Sequence, residues 1–81
     1  MVIFSIAKPC ARYLEQTGRN LSDTEIAEAT GLSRQAVKNA KTGVLQMVYL
    51  DKVQALLVYF RSLGIAVELS DLFEEREGIG L

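Results

Sequence analysis

The sequence predicts a small all-α domain, five helices around one core, and three observations carry that expectation. First, the chain has 81 residues, 49% of them apolar, with six glycines and one proline. A chain that short holds a single core, and so apolar a composition with so few helix breakers excludes disorder and a loop-rich stapled fold. Second, apolar residues recur at spacings of three and four between serine starts and glycine stops. Third, Ser22 and Glu25 have the spacing of a capping box, and Gly31 and Ser33 follow as a stop and a new start. That order places two short helices around a tight corner.

Residues 1–8 form an N-terminal arm, apolar up to Lys8, which allows a short extended segment. Pro9 suits the first turn of a helix, where its missing N–H costs nothing, and Cys10, Leu14 and Thr17 share a face before Gly18, giving a first helix over 9–17. The second helix covers 23–30, with Ile26, Ala27 and Thr30 inward and Gly31 as a left-handed stop. Leu32 is a buried pivot, and Ser33 caps a third helix over 33–41 in which Val37 and Ala40 face the core. Residues 44–49 are too apolar for an ordinary loop, and their pattern assigns them no conformation. Leu50, Val53, Leu57 and Phe60, with Leu56 and Leu63 alongside, mark a fourth helix over 50–63 that ends at Gly64. Residues 65–69 read as a short extended piece. Ser70 and Asp71 then read as the cap of a fifth helix over 70–76, before a fraying tail at 78–81.

Several function classes are disfavoured by composition. One cysteine, Cys10, and no histidine leave no internal disulfide and none of the usual zinc or catalytic metal sets, so no metal or cofactor is expected. Cys10 reads as a small buried residue of the first helix. There is no phosphate-cradling glycine loop and no distinctive pair of carboxylates, and the chain is not expected to be an enzyme. The apolar start lacks a basic leader, and the later apolar run over 55–60 is far shorter than the roughly 20 residues that cross a bilayer, which predicts a cytoplasmic protein without a membrane partner. The formal charge is -1, but it is unevenly spread. Residues 1–43 hold six basic and four acidic side chains, residues 44–81 three basic and six acidic, and residues 31–43 carry Arg34, Lys38 and Lys41 with no acid. Such polarity can turn one cationic face toward phosphate.

The informative run is residues 23–40. A helix-turn-helix needs a small residue in its first helix so that the second can approach, a glycine at the corner, and a branched apolar residue that locks the crossing. Ala27, Gly31 and Val37 occupy those places, and Ile26, Leu32 and Ala40 complete the apolar contacts. From about residue 10 to residue 73 the chain resembles the Cro and lambda-type phage repressor family of helix-turn-helix regulators. The closing pattern Phe60-Arg61-Ser62-Leu63-Gly64, then Leu69-Ser70-Asp71-Leu72-Phe73, is similar to that family's last helices.

The resemblance implies a five-helix, lambda-repressor-like domain that binds a double-stranded DNA operator. The helix from Arg34 to Lys41 would lie in the major groove with Arg34, Gln35 and Asn39 on base edges. Arginine can give two donors to guanine O6 and N7, and glutamine or asparagine can pair both ways with adenine. Ser33, Lys38 and Lys41 would hold phosphates, which fix register without reading sequence. The implied assembly is a homodimer on a near-palindromic site, its two reading helices about one turn, ~34 Å, apart, acting as a repressor by blocking polymerase. Two positions depart from the family. Asp23 stands where members often carry a phosphate-touching glutamine, and the apolar link 44–49 replaces polar residues and a proline.

Blander readings exist for each feature. The polar side of the third helix has the composition of any solvated face, and Arg12 and Arg19 read as ordinary soluble side chains. A rival of another class is an interaction module on the same fold, an antitoxin that grips a toxin, or a domain that meets an antirepressor, through the apolar link. A further reading is a scaffold that has lost DNA binding, in keeping with the acidic pI of 5.3.

Overall fold

The structure, a computed structural model, describes residues 1–45 and 47–76. It is mostly helical: α1 (Ala7–Thr17), α2 (Asp23–Thr30), α3 (Arg34–Thr42) and α4 (Leu50–Ser62) are joined by a 3-10 turn (Leu69–Leu72) to a small sheet of β1 (Val2–Phe4) and β2 (Phe73–Glu75). Among the described residues no helix is long and apolar enough to cross a membrane.

One core forms where the helices meet. Ile26 of α2, Val37 and Ala40 of α3, and Leu56 and Phe60 of α4 are fully buried together with Ile6, Ile65 and Leu72. Burying each of these side chains except the smaller Ala40 contributes about 1.5–3 kcal/mol, so these few positions dominate the stabilisation of a domain this small. They also set the orientation of α3, because its two buried residues are three apart and leave the opposite side outward.

The second and third helices begin as their serines predict. Ser22 Oγ accepts the Glu25 N–H at 3.1 Å and Ser33 Oγ accepts the Ala36 N–H at 3.0 Å. The Glu25 carboxylate accepts the Ser22 hydroxyl at 3.2 Å and also takes the Arg19 guanidinium in two bonds of 2.7 and 2.8 Å. Helix α1 starts two residues before Pro9, because Ser5 Oγ accepts the Ala7 N–H at 3.1 Å and Ile6 donates to the Ala40 carbonyl at 3.0 Å. Residues 44, 45 and 47–49 have no regular secondary structure. Leu45 and Val48 pack on the core, while Val44, Met47 and Tyr49 are exposed.

The C-terminal end departs from the expectation of a fifth α-helix over 70–76. Residues 69–72 make one 3-10 turn instead, and residues 73–75 are a strand. Asp71 is the cause. Its carboxylate accepts the Glu68 N–H at 2.9 Å and both terminal nitrogens of Arg12 at 2.9 and 3.1 Å, so it caps a turn that starts earlier and is pinned to α1. The chain then leaves the turn in line with the N-terminal arm, and β2 pairs antiparallel with β1 in the register Val2 with Glu75, Ile3 with Glu74 and Phe4 with Phe73. Among the described residues the domain is thus mostly helical, with four α-helices and a two-stranded sheet, and the extended segment allowed at the N-terminus is β1. Residues 65–68 have no regular structure, although Ile65 and Val67 alternate inward as an extended piece would. The tail expected at 78–81 lies outside the described residues.

Candidate nucleic-acid interface

Three residues set the corner between α2 and α3. Ala27 is buried on α2, Val37 is fully buried on α3, and Gly31 takes φ +78° between them, its N–H reaching the Ala27 carbonyl at 2.9 Å. An L side chain in that left-handed conformation costs about 1–2 kcal/mol. Thr30, buried, donates its hydroxyl to the Ile26 carbonyl at 2.7 Å and accepts the Leu32 N–H at 3.4 Å, so the corner's polar groups are satisfied internally. A short, satisfied corner fixes α3 against α2.

The outward side of α3 carries Arg34, Gln35 and Lys38, all exposed, and the half-buried Asn39. Gln35 Nε2 donates to Asn39 Oδ1 at 3.0 Å across one helical turn, so these two amides form a connected pair with donors and acceptors to spare. Ser33 is exposed at the N-cap; its oxygen accepts from Ala36, and its hydroxyl hydrogen remains able to donate. The first turn of α3 holds no acid, so the positive end of the helix dipole is not offset there.

Lys41 does not join this group. Its Nζ donates to the Leu21 carbonyl at 2.6 Å and pairs with Asp23 Oδ1 at 2.7 Å, tying the end of α3 to the start of α2. The head of Lys41, expected at a phosphate, is thus bonded within the molecule. The same contact answers for Asp23, whose charge is matched at short range instead of projecting unpaired. Cys10 lies nearby, and burial pushes its thiol up to about 11, which leaves it protonated and inert at neutral pH.

Ion pairing sorts the remaining cations. Arg12, Arg19, Lys41, Arg61 and Arg76 each have a carboxylate within 4 Å, with Arg12 also reaching the Ala66 carbonyl at 2.7 Å, so Arg12 and Arg19 are structural rather than merely soluble. Among the described residues, Lys8, Arg34, Lys38 and Lys52 have none. Lys52 was not singled out from the sequence. It belongs to the first turn of α4, yet its ammonium lies over the corner, 2.8 Å from where a Cβ on Gly31 would stand. Only the docking of α4 on α2 brings it there, and no local pattern announces that. Arg34, Lys38 and Lys52 thus make a set of uncompensated cations on α3 and beside its start. Among the described residues no group of three potential metal ligands occurs. Comparison of the chain with protein-family models, with curated proteins and with solved structures gives no match.

Proposed function

We propose that this protein is a sequence-specific, double-stranded-DNA-binding transcriptional regulator of the Cro and lambda-repressor type, probing the major groove with α3. In this reading α2, the Gly31 corner and α3 are its helix-turn-helix. The observation that carries it is the two-sidedness of α3: Val37 and Ala40 lock one side into the core, while Arg34 and Lys38 stand on the other without an acid partner among the described residues. Of the four lysines and arginines without an acid partner among the described residues, two stand on this one nine-residue helix, in a protein of net charge -1.

Arg34 is assigned to a guanine edge through two parallel N–H donors, and Gln35 and Asn39 to neighbouring bases, their mutual bond keeping both amide planes pre-aligned. Ser33 and Lys38 hold phosphates, and Lys52 replaces Lys41 as the further phosphate cation, at the corner. Two copies acting together read a near-palindromic operator, because one short helix contacts too few base pairs for useful specificity. Bound at a promoter, such a dimer represses by excluding polymerase.

The test is selection of bound sequences from random duplexes, followed by salt titration. A discrete motif is expected, with affinity falling steeply as salt rises. Recovery of unselected sequence, or affinity insensitive to salt, would overturn the proposal.

A further inference from the structure

Two side-chain amides meet on the outward side of α3. Gln35 Nε2 donates to Asn39 Oδ1 at 3.0 Å, and among the described residues neither amide makes another hydrogen bond. At 3.6 residues per turn that side runs in the order Arg34, Lys38, Gln35, Asn39 around the helix axis, so Gln35 has two cations on one flank and Asn39 on the other. The helix carries no Asp or Glu, and lysine and arginine are donors only, which leaves the Asn39 carbonyl as the side-chain acceptor beside Gln35. Gln35 is exposed and Asn39 half-buried, so the inner amide anchors the outer one.

The pair has one electrostatically favoured sense. With Nε2 drawn to Asn39, the Oε1 end of the Gln35 amide, its negative end, is turned to the flank where Arg34 and Lys38 stand. The reversed amide would set its N–H groups against two cations that have no acid partner among the described residues. One of the two Nε2 hydrogens is spent on Asn39, and the other remains beside Oε1, so Gln35 offers one acceptor and one donor side by side. Adenine matches that pattern in the major groove, since its N6 donates and its N7 accepts. Guanine presents two acceptors, N7 and O6, and the second of them would face Oε1. A free glutamine escapes that repulsion by rotating its amide; one held by Asn39 does so only by giving up a hydrogen bond.

We propose that Gln35 reads an adenine and that Asn39 is its positioning residue, holding the Gln35 amide with its acceptor toward adenine N6 and so excluding guanine from that base pair. This rests on the reading of base edges by α3 and adds to it the identity of one base and the means by which it is chosen. Asn39 keeps both Nδ2 hydrogens for a base of its own, so its two roles are separable: the first is seen in the choice between adenine and guanine opposite Gln35, the second in affinity at a neighbouring base pair.

The experiment measures affinity for the selected duplex and for duplexes in which each A·T pair is replaced in turn by G·C in the same strand sense, with the wild type, Gln35→Ala, Asn39→Ala and Asn39→Asp. The quantity read is the ratio of the two affinities at the position where Gln35→Ala abolishes the preference. The wild type is expected to favour adenine there by about tenfold. Asn39→Ala should lower that ratio by about threefold or more, because the amide is then free to rotate. Asn39→Asp should retain it, since a carboxylate accepts the same hydrogen, although its charge weakens binding to both duplexes alike. Alanine favours the helix, and a merely structural role for Asn39 would weaken both duplexes equally and leave the ratio unmoved. A ratio unchanged in Asn39→Ala, a ratio lost in Asn39→Asp, or a guanine preferred opposite Gln35 would overturn this inference while leaving DNA reading by α3 intact. Absence of any discrete motif in the selection would refute both together.

Discussion

Asp71 ties residues 69–75 to α1, and its replacement by asparagine gives a quantitative test of why that segment is a turn and a strand. The Arg12 guanidinium, followed by the Glu68 N–H, holds the Asp71 carboxyl at about 2 against an ordinary 3.8. That difference corresponds to roughly 2.4 kcal/mol favouring the folded state when the carboxyl is ionised. The Arg12 side chain is 39% exposed and Asp71 19%, so solvent screening reduces the figure to about 1–1.5 kcal/mol. In a domain of this length Asp71→Asn should therefore lower the melting temperature by roughly 5–10 °C at neutral pH. Because the folded carboxyl titrates below the unfolded one, the stabilisation is complete above about pH 5 and is lost as pH falls toward 2. Thermal melts followed by circular dichroism should show wild type and variant far apart at neutral pH and converging near about pH 2. Equal melting at neutral pH, or a gap that persists in acid, would refute the assignment of this end of the fold to the Arg12–Asp71 pair.

Further outcomes follow from the same geometry. Lys41→Met should lower stability, measured by urea midpoint, by about 1 kcal/mol, yet leave the slope of log affinity against log salt unchanged, because its ammonium is bonded to Leu21 and Asp23. Lys38→Ala and Lys52→Ala should each reduce that slope by about one unit for every duplex sequence, with stability unaltered, as read by filter binding over a salt series. Gly31→Ala should lose about 1–2 kcal/mol in urea denaturation for its positive φ, and Gly31→Asn less, since asparagine tolerates the left-handed region.

How much of this was legible in the sequence depends on the range of the interaction. The starts of α2 and α3 were, because Ser22 and Ser33 act on amides three residues away, and Gly31 stops a helix by its own backbone. The buried side of α3 followed from the spacing of Val37 and Ala40. The 3-10 turn and β2 were not legible, because Arg12 lies 59 residues from Asp71 and β1 some 70 from β2. Local signals at Ser70 and Asp71 pointed to a helix start, and the long-range ion pair decided otherwise. Which cations are paired within the molecule was not legible for the same reason. Lys41 sits in a run free of acids, yet it reaches back 20 residues to Leu21 and to Asp23 at the start of α2, while Lys52, next to Asp51 in sequence, is carried to the corner by the packing of α4.

Arg34 offers the most direct measurement of the central claim, since a guanine that it reads in the major groove must present N7. Each guanine of the selected site is replaced in turn by 7-deazaguanine, and affinity is measured for the wild type and for Arg34→Ala. One substitution is expected to weaken the wild type by about 1–2 kcal/mol and to cost the variant nothing. Substitutions that leave the wild type unaffected, or that weaken both proteins equally, would contradict reading by α3.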